Sequence, residues 1–246
     1  MTTAGLLLLH AWPLDARMWE PQLAALPPDL PVVAPNHPGF GGADPADGVT
    51  TMSACAERAI SALDAAGVDR AVVCGLSIGG YVAFELWRRY RDRILGLILA
   101  NTRAVADPPE AVHGRFVLAE RLRAEGNFLA VDPPALLAPE APEELRVRVR
   151  ALIADQPAEA IAAAALGMAE RPDSTPDLQG IDVPTLVVTS SEDQLIAAEV
   201  SADMAGRIPG ARLETIPGVG HLSNMEAPET FNRLLLEHLA ACGLAA

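Results

Sequence analysis

The hexapeptide Gly75-Leu76-Ser77-Ile78-Gly79-Gly80 constrains this chain more than any other feature. It stands between an apolar run, Ala71 to Cys74, and a helical pattern, Tyr81 to Tyr90, so a serine occupies the point where a buried strand must turn sharply into a helix. Such a turn strains the serine backbone and brings the residues two before and two after it together. Gly75 and Gly79 are therefore the positions where a missing Cβ is needed. The hydroxyl is left exposed at the carboxyl end of the strand. This is the pattern of a nucleophile elbow, and a chain built around one is expected to be a serine hydrolase.

The rest of the chain supplies the sheet such an elbow needs. Leu6 to His10, Pro31 to Pro35, Arg70 to Cys74, Ile94 to Ala100, Pro184 to Thr189 and Arg212 to Ile216 are short apolar runs bounded by Gly, Pro or polar residues. Runs of that kind suit parallel strands buried on both faces. Helix-length patterns alternate with them: Thr51 to Ala66 before Gly67, Ile78 to Arg89, Glu199 to Arg207, and Pro228 to Ala241 before Gly243. The expected architecture is an α/β fold with a mostly parallel central sheet flanked by helices. Between about Arg103 and Gln179 strands vanish, and Ala-, Glu- and Arg-rich helical patterns are punctuated by prolines. The expected organisation is a core formed by residues 1–102 and 180–246, with a small helical cap inserted as residues 103–179. Arg146, Arg148 and Arg150 read as a solvated face of a cap helix, because Glu143 and Glu144 lie within helical reach.

Charge and cysteine content exclude several functions. At 246 residues with a formal net charge of -14, the chain would be repelled by nucleic acid phosphates and by anionic lipid, so neither is an expected partner. The apolar stretch Leu6 to Leu9 is too short for a membrane span and has no basic residue before it, so no secretory signal is read there and the chain is expected to be cytoplasmic. Cys55, Cys74 and Cys242 are odd in number and lack a C-x-x-C spacing, which argues for incidental thiols over a disulfide framework or a zinc site.

A serine hydroxyl needs a base to take its proton, and the base needs a group to fix its tautomer. His221 stands in the Gly-rich segment Pro217 to Leu222, between the last strand and the last helix, and so on the same edge of the sheet as Ser77. Asp193, in Ser190-Ser191-Glu192-Asp193, follows the strand ending at Thr189 on that edge too. The negative charge that builds on a carbonyl oxygen requires two donors. The backbone N–H of Ile78 at the start of the helix is one. The other should come from His10-Ala11-Trp12-Pro13, where Pro13 has no N–H, leaving Trp12 with Ala11 behind it. His10 and His37 fall near the same end of the sheet but have no carboxylate or cysteine at ligand spacing, so no metal is expected.

The segments His10 to Asp15, Asn36-His37-Pro38-Gly39-Phe40-Gly41, Gly75 to Gly80, Ser190 to Asp193 and Gly218 to His221 resemble the successive signatures of the α/β-hydrolase fold superfamily. Within it the chain is similar to the group of carboxylesterases and 3-oxoadipate enol-lactonases. The order Ser77, Asp193, His221 is the one that superfamily uses. The chain departs from it at Ala11, where glycine is usual, and at Asn36, where aspartate is common. The resemblance implies an acyl-enzyme mechanism in which Ser77 attacks, His221 is the base, Asp193 stabilises the imidazolium, Trp12 and Ile78 form the oxyanion hole, and no cofactor is needed. A serine at the elbow argues against the branches that carry aspartate there. The expected substrate is a small to medium carboxylic ester, held among Trp12, Ala11, Ile78, Leu222 and cap residues such as Phe116, Leu118 and Phe128. A carboxylated enol-lactone is the alternative, to be favoured if Arg103, Arg115 or Arg121 points inward. Carbon-carbon bond hydrolysis and perhydrolysis use the same three residues. A ligand-binding protein that keeps the fold without turnover is the reading from another class.

Overall fold

The computed structural model describes residues 3–244. Its centre is a six-stranded sheet of β1 (Ala4–Leu9), β2 (Val32–Val33), β3 (Arg70–Leu76), β4 (Ile94–Ala100), β5 (Thr185–Ser190) and β6 (Arg212–Ile216) in the order β2-β1-β3-β4-β5-β6. Every pairing is parallel. β1, β3, β4 and β5 are buried along nearly their whole length, as continuous apolar runs covered on both faces require. β6 differs from its expected reading: Arg212, Leu213 and Glu214 are solvent-facing or only half-buried. It is an edge strand, and charged side chains there oppose pairing with another chain.

The helices are α1 (Glu20–Leu23), α2 (Met52–Ala65), α3 (Ile78–Tyr90), α4 (Pro109–Glu125), α5 (Glu143–Ala154), α6 (Ala158–Ala169), α7 (Ala198–Arg207), α8 (Ser223–Glu226) and α9 (Pro228–Ala241). α2 begins where Thr51 accepts the Ala54 N–H through its hydroxyl at 3.1 Å and ends before Gly67 at φ 67°. None of the described helices is long and apolar enough to cross a membrane.

α4, α5 and α6 all lie between β4 and β5 in the chain. α6 is a run of small residues, buried almost throughout, and this lets its backbone press on the core: the Thr50 N–H donates to the Ala163 carbonyl at 3.2 Å, and a Cβ on Gly167 would collide with the Thr50 carbonyl. Arg146 does not belong to a solvated face. Its guanidinium reaches back to the carbonyls of Ala138 (2.9 Å), Pro139 (2.6 Å) and Ala141 (3.2 Å) and folds the segment before α5 against the helix. Arg148 pairs with Glu20 and Arg150 with Glu143, both in exposed positions.

Candidate active site

Parallel strands in register bring their carboxyl ends to one edge, and the candidate residues gather there. Leu9 is opposite Gly75, and Leu76 is opposite Ala100. Ser77 and Asn101 therefore leave adjacent strands side by side, with the His10–Trp12 loop next to them. Ser190 is opposite Ile216, which places the loops bearing Asp193 and His221 together. Open parallel sheets bind ligands along this edge.

Ser77 has φ 58° and ψ -115°, and it stands at the N-cap of α3. A serine there ordinarily caps its helix through the hydroxyl. Here the side chain makes no capping bond, because the left-handed backbone turns it away from the helix. The glycines permit the turn. A Cβ on Gly75 would meet the Gly79 carbonyl, and one on Gly79 would meet the Leu9 carbonyl of β1.

Asp193 and His221 form a buried pair, the ring Nδ1 lying 2.9 Å from Asp193 Oδ2. Burial by itself would raise the Asp193 carboxyl. The bond and charge of His221, the Asn101 amide at 3.0 Å and the Ile196 N–H at 3.0 Å outweigh it and hold the carboxyl below its ordinary value. An ionised carboxylate only accepts, so the Nδ1 of His221 is the donor in this bond, and in the neutral ring Nε2 is then the acceptor. Nε2 is buried and has no hydrogen-bond partner among the described residues. It shares with Ser77 a cavity of about 240 Å³ whose other walls are Trp12, Tyr81, Arg103, Arg115, Pro134, Met168, Leu195 and Ile196. A fixed imidazole with a free basic nitrogen beside an uncapped serine is equipped for proton abstraction.

The residues of the His10–Trp12 loop are held by several contacts. The Ala11 N–H is directed at the Met18 sulfur at 3.1 Å, and the indole N–H of Trp12 donates to Ile161 of α6 at 3.1 Å. His10 Nε2 accepts the His37 N–H at 2.9 Å, while the His37 ring faces the His10 carbonyl at 3.1 Å. Burial lowers the pKa of His10 to about 4 and that of His37 well below its ordinary value, so both rings are neutral braces between two loops. Asn36 braces them further: its carbonyl oxygen accepts the Ala16 N–H at 2.8 Å and its amide donates to Gly41 at 3.1 Å.

Other expected pocket residues fall elsewhere. Phe116 is 45% exposed on α4, and Phe128 lies beneath the Arg121 guanidinium, 3.8 Å from its ring centre. Arg121 itself pairs with Glu125. Ala11 and Leu222 are fully buried and do not face the cavity. Tyr81 and Met168 take those places; Tyr81 follows Ser77 by four residues, one helical turn on, a spacing that could have identified it. Asn101 was unreadable from its surroundings. It follows β4 with φ 44°, and only its position beside Ser77 on the next strand would have pointed to it.

Residues 6–234 match the model of the alpha/beta hydrolase family. The chain is 30% identical to the pimeloyl-[acyl-carrier protein] methyl ester esterase of Aromatoleum aromaticum, over 93% of this chain and 95% of that one. It is 29% identical to 3-oxoadipate enol-lactonase 1 of Acinetobacter baylyi, over 88% of this chain and 81% of the relative. Among solved structures, a thermophilic esterase from Thermogutta terrifontis, malate bound, superposes with a TM-score of 0.93 at 41% identity, covering 98% of this chain and 92% of that one. The family match begins in the first strand and ends in the last helix, so the whole sheet and the candidate site at its edge lie within it, and the chain belongs to the alpha/beta hydrolase family.

Proposed function

We propose that the protein is a serine esterase acting on small carboxylic esters through Ser77, His221 and Asp193. The observation that carries this reading is the pairing of an uncapped serine at a strained elbow with a histidine whose Nδ1 is held by an ionised aspartate. His221 Nε2 takes the Ser77 hydroxyl proton as the serine oxygen attacks the ester carbonyl. The imidazolium then protonates the leaving alcohol as the C–O bond breaks, and an acyl-serine remains. Water, deprotonated by the same nitrogen, attacks the acyl-serine, and the proton returns to Ser77 as the acid departs.

The Ile78 N–H opens α3 and has no partner within the helix, so it is one oxyanion donor. The Trp12 N–H is the second, since the Ala11 N–H is directed at Met18 and Pro13 has none. Residues 103–179 serve as the cap and contribute Arg103, Arg115, Pro134 and Met168 to the cavity wall. The cavity is smaller than the ~300–1,000 Å³ of sites for drug-sized ligands, which favours a short acyl group. A lactone is the second reading, favoured by the two arginines in that wall.

The test is hydrolysis of p-nitrophenyl esters, from acetate to laurate, by the wild-type protein and by Ser77→Ala. The expected outcome is a preference for short chains and a fall of ~10⁴-fold or more in the variant. Undiminished hydrolysis by Ser77→Ala would remove the serine mechanism.

A further inference from the structure

The cavity that holds Ser77 and His221 also holds the side chains of Arg103 and Arg115. Both are tied to Asp107, whose side chain has no exposed surface and which also takes Arg171 at 2.8 Å. Three guanidinium groups share one carboxylate, and an excess of two positive charges is left beside the cavity. Burial would raise the Asp107 carboxyl, but Arg171 and Arg115 hold it far below its ordinary value, so it stays ionised and keeps the cluster oriented.

The cluster is fastened to the helix that carries the nucleophile. Arg171 is almost fully buried, donates to the Met168 carbonyl at 2.8 Å and lies over the Tyr81 ring at 4.1 Å. Asp107 thus consumes part of the donor capacity of Arg103 and Arg115. Arg103 Nε is buried without an acceptor among the described residues, and Arg115 Nη1 faces only the Met168 sulfur at 3.5 Å, a weak acceptor. Guanidinium groups with donors to spare on the wall of a small cavity match a carboxylate, which accepts two parallel N–H bonds. The chain as a whole carries -14 and would repel an anion, so a local positive wall is what would admit one.

We propose that Arg103 and Arg115 form a carboxylate subsite, and that the preferred substrates are small esters or lactones bearing a second, free carboxylate. This rests on the serine esterase reading and narrows it. The subsite fixes the far end of the substrate by charge, so the scissile carbonyl is presented to Ser77 in one orientation.

The test compares monomethyl succinate with methyl levulinate, a neutral ester of nearly the same shape, at about pH 8, where the free carboxyl is ionised. Wild-type protein should favour the succinate half-ester by about 10- to 100-fold in kcat/KM, the scale of a charged hydrogen-bonded contact. Succinate should compete with p-nitrophenyl acetate, and Arg115→Gln should bring the ratio of the two methyl esters toward one. If that variant does not fold, the wild-type ratio and the succinate inhibition decide the matter alone. Equal rates on the two methyl esters, with p-nitrophenyl acetate still cleaved, overturn the carboxylate subsite and leave the esterase standing. No turnover of any of the three esters overturns both.

Discussion

Asn101 holds together three segments that meet at the candidate site. Its amide donates to Ser190 Oγ at 2.6 Å and to Asp193 Oδ2 at 3.0 Å, its carbonyl oxygen accepts the Ser223 hydroxyl at 2.6 Å, and its own N–H reaches Val188 on β5 at 2.8 Å. Asp193 Oδ2 is the same oxygen that faces His221, so the asparagine fixes the carboxylate that fixes the ring. Asn101→Gly keeps the positive φ within reach and deletes only the amide. This change should lower kcat for p-nitrophenyl acetate by about 10-fold, with little change in KM, and lower stability to urea by about 1–3 kcal/mol through the hydroxyls it strands. A kcat within two-fold of wild type would show that Asp193 is positioned by its other contacts. Ser77, Asp193 and His221 were legible because each stands in a turn of distinctive composition. Asn101 was not, because its partners are 89, 92 and 122 residues away and nothing in its own neighbourhood demands an amide.

The loop between β6 and α8, which carries His221, is gripped by the segment before α5. Glu226 at the end of α8 accepts the Gly220 N–H at 2.8 Å with one oxygen and the Ala138 N–H at 2.9 Å with the other, while the Leu222 N–H donates to Leu136 at 3.0 Å. Residues 136–138 thus lie against the residues that flank His221, and a Cβ on Gly220 would run into that strap. Burial raises the Glu226 carboxyl more than these two amides lower it. In Glu226→Gln one acceptor becomes a donor aimed at another N–H. We expect about 1–3 kcal/mol lower stability in urea and a kcat reduced by about 10-fold, since the loop that aims the imidazole is loosened. Unchanged kcat alongside the lost stability would limit Glu226 to a structural role. Elements of this kind separate what sequence periodicity reveals from what it does not. β1, β3, β4 and β5 were visible because strands buried on both faces are apolar without interruption. The strap was invisible because it has no period, and Arg146, read from helical spacing with Glu143 and Glu144, spends its donors on carbonyls instead.

For the whole molecule, the buried histidines set the response to acid. His10 and His238 are both lowered to about 4, His10 by burial with no charged partner, His238 by burial and by Arg212. A histidine depressed in the folded state binds its proton more readily when unfolded, so stability is complete above about pH 6.5 and is lost as pH falls toward 4. Each ring would contribute about 3 kcal/mol over that interval, and His37 acts in the same direction. Asp193 and Asp107 act in a lower window: their depressed carboxyls stabilise the fold above their unfolded pKa of about 4, and that stability goes only as they take up protons below it. Glu226, raised by burial, runs against the histidines and slightly offsets them in the upper window. Urea midpoints measured from pH 7 to 4 should therefore fall steeply before any buried aspartate protonates, and His238→Gln should flatten part of that slope while leaving the lower limb in place. A midpoint constant from pH 6.5 to 4.5 would mean that the rings charge freely in the folded protein, and that the neutral His10–His37 brace beside the His10–Trp12 loop does not hold as described.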